Sequence, residues 1–269
     1  MSWRLGISSG ACTERPILQV LPAIVASGAA GIEIGTPPRH FDPWSDEQVR
    51  VLAGALAATP LETVSIHAPF GGLLDLAEPN PHHRHAAVGA VLTAAGALKR
   101  LGGRLVIVHP SDLERHGHDV GARLTDCANS LTLLADALRA DGLALVVESP
   151  LPHLIGGHPD EFAWLLGRLD ASVGVCLDTG HTALGRHWPR FVDVAGRRLV
   201  HVHANDNRGR WDDHLPPGDG DIDWPAVAHS LRACGYDGWI MLELGCPPDD
   251  VGAYLARARA RAATLFGDP

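Results

Sequence analysis

Val106-Ile107-Val108-His109-Pro110 is a short β-branched run that ends on an imidazole and is stopped by a proline. Val146-Val147-Glu148-Ser149-Pro150 repeats the pattern with a carboxylate, and Val200-His201-Val202-His203-Ala204-Asn205-Asp206 repeats it again. Continuous apolar runs of this kind suit strands covered on both faces. Outward from these stretches, eight such runs are read near 4–8, 31–35, 62–67, 104–109, 143–148, 172–177, 199–203 and 239–244. Ala/Leu/Arg segments of helical period follow them at about 16–28, 45–58, 82–101, 119–140, 158–169, 188–196, 224–235 and 249–266. Two helix starts have visible causes: Asp223 before Trp224-Pro225, and Ser45 before Asp46-Glu47.

Eight strand–helix units are what a closed parallel barrel requires, so the expected fold is α/β, a (β/α)8 TIM barrel over 1–269 as a single domain. The alternative is an open doubly wound sheet, which concentrates polar residues at one switch point. Here they end strand after strand. His67, His109, Glu148, Asp178 with His181, His203 and Glu243 all fall at such ends, which converge on the mouth of a barrel.

The composition bounds the chemistry. With 269 residues, 46% hydrophobic and 20% charged, the chain is an ordinary globular one. No apolar run reaches the ~18 residues of a membrane span, and Met1-Ser2-Trp3-Arg4-Leu5-Gly6 does not read as a secretory leader, so a cytoplasmic location is expected. The five cysteines are scattered and form no Cys-x-x-Cys, and are read as reduced thiols. Lys99 is the only lysine and lies mid-helix, leaving no Schiff-base or Walker lysine. Histidine is abundant at 16. A net charge of -9 argues against nucleic-acid binding by the whole surface.

Imidazoles and carboxylates crowded at one mouth are costly to desolvate without a cation, so a divalent metal is expected. Ligands of this mixed type without thiolate suit Zn²⁺, Mn²⁺, Co²⁺ or Fe²⁺. His201 lies one layer deeper than His203 and reads as support or core packing; Glu33 lines the lumen as a lesser candidate for contacting substrate. The 205–224 segment is too long for a plain connector. Within it, Asp212 and His214 can fold back as ligands, Gly218 and Gly220 permit a tight path, and Arg208 and Arg210 can hold a phosphate or carboxylate. Arg39, Arg84, Arg115 and Arg186 also fall in or near loops expected on the mouth side.

His-Ala-Pro-Phe at 67–70, Val-His-Pro at 108–110, Leu-Asp-Thr-Gly-His at 177–181, His-Val-His-Ala-Asn-Asp at 201–206, the 212–224 segment and Leu-Glu-Leu-Gly at 242–245 resemble the xylose-isomerase-like TIM barrels over nearly the whole chain. That family includes sugar and sugar-phosphate isomerases and epimerases and also endonuclease IV. Resemblance to single-metal ketose epimerases implies four ligands, Glu148, Asp178, His203 and Glu243. Both glutamates would also shuttle a proton, and His181 would help hold the substrate. A further substrate-contacting glutamate expected six residues after Glu148 is replaced by Leu154. Resemblance to the three-metal endonucleases implies nine ligands: His67, His109, Glu148, Asp178, His181, His203, Asp212, His214 and Glu243.

The resulting expectation is an isomerase or epimerase of a small sugar, sugar phosphate or related polyol, with one to three divalent ions and Glu148, Glu243 and His181 as catalytic residues. The alternative is a phosphodiester hydrolase with clustered metals. A small-molecule partner is expected, nucleic acid and membrane are not, and the oligomeric state is left open, a homodimer included.

Overall fold

In the computed structural model, which describes residues 3–245 and 249–267, eight parallel strands close into one barrel in sequential order. The strands are β1 (Arg4–Ser8), β2 (Gly31–Gly35), β3 (Glu62–His67), β4 (Leu105–Val108), β5 (Ala144–Glu148), β6 (Gly174–Asp178), β7 (Leu199–Ala204) and β8 (Trp239–Leu242). The helices are α1 (Ile17–Ala26), α2 (Asp46–Ala57), α3 (Pro81–Leu101), α4 (Val120–Ala140), α5 (Pro159–Leu166), α6 (Thr179–Leu184), α7 (Trp188–Ala195), α8 (Trp224–Ala233) and α9 (Val251–Phe266). Closure through the β1–β8 pair excludes the open sheet. The eight expected helices are present; α6 is additional.

Period two divides each strand between two environments. Ile7, Ile34, Val106, Val147, Leu177, Val202 and Ile240 belong to the main core, where the strands meet the surrounding helices. Each fully buried Val, Leu or Ile there contributes about 1.5–3 kcal/mol. The other side of the strands fills the lumen with Val64, Trp239 and Met241 in one cluster and Ile107, Val146 and Cys176 in another. Gly6 and Gly31 make that possible: a Cβ at Gly6 would lie 2.7 Å from the Met241 side chain, and one at Gly31 2.8 Å from the Trp239 ring. The lumen is a packed plug, and polar side chains lie above it toward the C-terminal strand ends.

The helix starts follow the expected capping. Ser45 accepts from the Gln48 amide at the start of α2, and Asp223 from the Ala226 amide at the start of α8. The cysteine expectation needs correcting. Cys127, Cys176 and Cys234 are free thiols, but Cys12 is disulfide-bonded. Spacing alone does not reveal which cysteines a barrel brings together. Cys246 lies outside the described residues.

Candidate metal centre

Six strand ends and one folded-back loop assemble a compact set of imidazoles and carboxylates. Glu148, Asp178, His203 and Glu243 form one group, with a ligand atom of each within 4.8 Å of the others. His181, Asp212 and His214 form a second group, and His67 with Glu148 and His203 a third. His109 stands beside the last, its Nε2 3.3 Å from Glu148 Oε2. The nine residues proposed from the sequence therefore meet at one mouth.

Four of the histidines share an arrangement. Nδ1 of His67 faces the Ala68 carbonyl at 3.2 Å and Nε2 faces Glu148 at 3.1 Å. His181 lies between the Ser149 carbonyl at 3.0 Å and Asp212 at 3.2 Å. His214 lies between the Glu243 carbonyl and Asp212, both at 3.0 Å. His203 Nε2 faces Glu33 at 3.1 Å, while its Nδ1 is 3.2 Å from Glu243 and 3.3 Å from Glu148. A neutral imidazole donates from one nitrogen only, so one acceptor beside each ring needs an added proton or a cation in its place. Outer acceptors of this kind also orient a ring whose other nitrogen ligates a metal.

The proton affinities show the same tension. Burial lowers the His67 pKa, but its hydrogen bond to Glu148 and the surrounding carboxylates outweigh that and raise it to about 9. For His214 burial is outweighed by Asp212 and Glu243, giving about 10. Burial pushes the Glu243 carboxyl up, yet the adjacent His203 ring brings it down to about 2. Asp178 moves the other way, raised by burial to about 7 against the pull of His181. Glu148 Oε1, His203 Nδ1 and Asp212 Oδ1 are buried without a hydrogen-bond partner. Unpartnered buried atoms on such a set fit a divalent cation bound by oxygen and nitrogen.

Local sequence explains why the pieces converge. Asp178 ends β6 and caps α6, its Oδ1 accepting from the His181 amide at 2.7 Å. The cap holds the first turn on which His181 sits. Asp178 Oδ2 accepts from Asn205 Nδ2 at 2.7 Å, and a Cβ on Gly180 would lie 1.9 Å from Asn205 Oδ1. The 205–224 loop is tied down by Asp206, whose backbone exchanges two 2.8 Å hydrogen bonds with Leu215. Its carboxylate accepts from the Asn207, Gly218 and Ile222 amides and from Trp224 Nε1. These ties hold His214 at φ 47, a left-handed conformation strained for a non-glycine residue. Asn205 and Asp206 were missed as structural residues; the polar Asn205-Asp206-Asn207 run directly after a strand is the signal that marks them.

The remaining candidates lie elsewhere. Glu33 lines the lumen but is 0% exposed, beneath the open mouth, where it accepts from Ser65 Oγ at 2.7 Å and contacts His201 and His203. Its carboxylate faces His203 Nε2 at 3.1 Å and so orients that ring. His201 is deeper than His203, as expected. Arg208 and Arg210 are exposed and are not among the residues lining the cavity over the centre. Arg39, Arg84 and Arg115 are paired with Glu14, Asp126 and Glu161.

The family model for xylose isomerase-like TIM barrels matches residues 21–263. The chain belongs to that family. A putative hydroxypyruvate isomerase from Streptomyces coelicolor is 26% identical, over 90% of this chain and 89% of its own. Among solved structures, a D-tagatose 3-epimerase-like protein superposes with a TM-score of 0.86 at 23% identity, covering 98% of this chain and 97% of that one. An IOLI protein with a bound zinc atom superposes with a TM-score of 0.85 at 17% identity, over 99% and 98%. At these identities the superpositions show a shared barrel. No helix among the described residues is long and apolar enough to cross a membrane.

Proposed function

We propose that this chain is a divalent-metal-dependent isomerase or epimerase of a small sugar, sugar phosphate or related polyol. The observation that carries the reading is the Glu148, Asp178, His203, Glu243 group, in which two carboxylates flank one imidazole at the mouth. The relative described as a hydroxypyruvate isomerase and the superposition on a tagatose-epimerase-like protein support it.

A metal held by those four residues would polarise a substrate carbonyl and its adjacent hydroxyl. Glu243 lines the cavity and is held ionised by the adjacent His203 ring, so its carboxylate would be placed to take the proton from the carbon beside that carbonyl. Glu148, on the other side of His203 and held ionised by His203 and His109 against the effect of burial, would pass on to the opposite face of the enediolate a proton drawn from His67, whose Nε2 is 3.1 Å away and whose pKa is raised to about 9. His181, fixed by Asp178 and the Ser149 carbonyl, orients the substrate oxygens. Incubation of metal-loaded protein with ketohexoses in deuterated water tests this. Incorporation of one deuterium beside the carbonyl is expected, and its absence from every ketose and ketose phosphate tried would count against the reading.

A second reading, a phosphodiester hydrolase with up to three metals, is favoured by one observation: eight of the nine candidate ligands fall into three groups at the mouth, and His109 stands beside one of them. Elemental mass spectrometry on protein purified without chelators separates the two. About one ion per chain supports the epimerase centre; about three supports the hydrolase and directs assays to phosphodiesters.

A further inference from the structure

The cavity over the centre is larger than the candidate ligands need. It has a volume of about 790 Å³. Even if every non-hydrogen atom of a hexose took the roughly 30 Å³ that a water takes in the liquid, more than half of that space would stay unfilled. His67, Asp212, His214 and Glu243 form one part of its wall, and Pro37, Pro38, Trp44, Phe70, Leu74 and Leu244 another. Trp44 and Phe70 remain 52% and 47% exposed. Phe70 is stacked on His109, with ring centroids 4.0 Å apart, so its ring stands directly beside the candidate ligands. The turn carrying Trp44 is pinned by its amide, which donates to Asp42 Oδ1 at 3.0 Å.

The same wall has little to hold an anion. Among the described lining residues the acidic groups are Glu14, Asp212, Asp213 and Glu243, and none is Lys or Arg. Arg39 lies near the rim, but it is bound to Glu14 at 2.6 Å. Three backbone donors along the cavity are already engaged: the Gly10 amide with Ser8 Oγ, the Gly35 amide with Ser9 Oγ, and the Gly245 amide with the His214 carbonyl. A phosphate placed away from the metal ligands would find no cationic side chain among the described lining residues to pair with it.

We propose that the substrate is an uncharged sugar bearing an apolar substituent, with the sugar over the candidate ligands and the substituent against Trp44 and Phe70. This rests on the isomerase or epimerase reading for the sugar end only. Half-exposed aromatic rings facing a cavity are the usual seat of an apolar ligand group, whose burial displaces water from both surfaces.

Calorimetric binding of phenyl β-D-glucopyranoside, methyl β-D-glucopyranoside and glucose 6-phosphate to the manganese-loaded protein tests the proposal. The phenyl glycoside should bind at least about 10-fold tighter than the methyl glycoside, a difference of about 1.4 kcal/mol. Trp44→Ala should reduce that preference to within about 3-fold while leaving methyl glycoside binding nearly unchanged, Phe70→Ala should reduce the preference to a similar extent, and glucose 6-phosphate should bind no tighter than the methyl glycoside. Equal binding of the two glycosides, a preference retained in both variants, or tighter binding of the phosphate overturns it. Phenyl preference without deuterium exchange into any ketose would sink the isomerase reading and leave this assignment standing; exchange without phenyl preference does the reverse.

Discussion

Glu148 and Glu243 differ little in sequence context but sit in different surroundings. Glu148 is 1% exposed and contacted by four histidines, whereas Glu243 opens onto the cavity. Glu243→Gln is expected to lower kcat by at least 10³-fold, and Glu148→Gln by a similar factor with loss of metal as well. Both should keep the wild-type circular dichroism spectrum, and a fully active variant would remove that residue from the mechanism. Glu33 acts one step further out. Its carboxylate fixes His203 with Nε2–H pointing inward and Nδ1 toward Glu148 and Glu243. Glu33→Gln should weaken metal binding about 10–100-fold, read by calorimetric titration, with the barrel still folded. An unchanged metal affinity would show that His203 needs no such partner.

At the scale of elements, the 205–224 loop is the least regular part of the mouth and the part most dependent on a single side chain. Asp206 accepts four N–H groups from Asn207, Gly218, Ile222 and Trp224 while buried. Asp206→Ala would leave those donors without their partner at a cost of about 3 kcal/mol. Urea unfolding should show a lower midpoint, and the residues the loop delivers, Asp212 and His214, should be lost from the centre, which in the three-metal reading reduces the number of ions bound per chain. A variant of wild-type stability and metal content would place the loop's order elsewhere. Helix α6 depends in the same way on Asp178, which joins a cap and a candidate ligand in one carboxylate.

At the scale of the molecule, the centre makes stability and metal binding depend on pH in opposite senses. His67 and His214 have folded values near 9 and 10 against about 6.5 unfolded. Protons therefore bind the metal-free folded state more tightly, and the stability they supply is complete below about pH 6.5 and lost as pH rises through 9 to 10. Thermal melts of the chelator-treated protein should fall over that range. A cation among the neighbouring carboxylates competes with those protons, so loading at pH 7 should release protons, and affinity should climb as pH rises toward 9. Calorimetry in buffers of different ionisation enthalpy measures the release; a heat independent of buffer would contradict histidine ligation. Ordinary imidazoles would place the loss of metal, and of activity, below about pH 6. The crowded carboxylates extend the competition upward, while a metal-loaded centre resists it.

Much of the barrel was legible because its signals are local. β-Branched runs, a proline after a polar strand end, and Ser45 or Asp223 before a helix are consequences of backbone sterics and capping that neighbouring residues decide. Period two placed His201 below His203, and strand ends marked His67, His109, Glu148, Asp178, His203 and Glu243, because a parallel barrel brings every C-terminal strand end to one mouth. What depends on distance through space was decided by the tertiary structure alone. Glu33 and His203 are 170 positions apart, yet their 3.1 Å contact makes this lumen-lining acid a buried support for an imidazole. The disulfide at Cys12, the pairing of Arg39 with Glu14, and the apolar wall carrying Trp44 and Phe70 are of the same kind. Each depends on how strands and loops pack, and sequence spacing carries no record of a contact that only closure of the barrel creates.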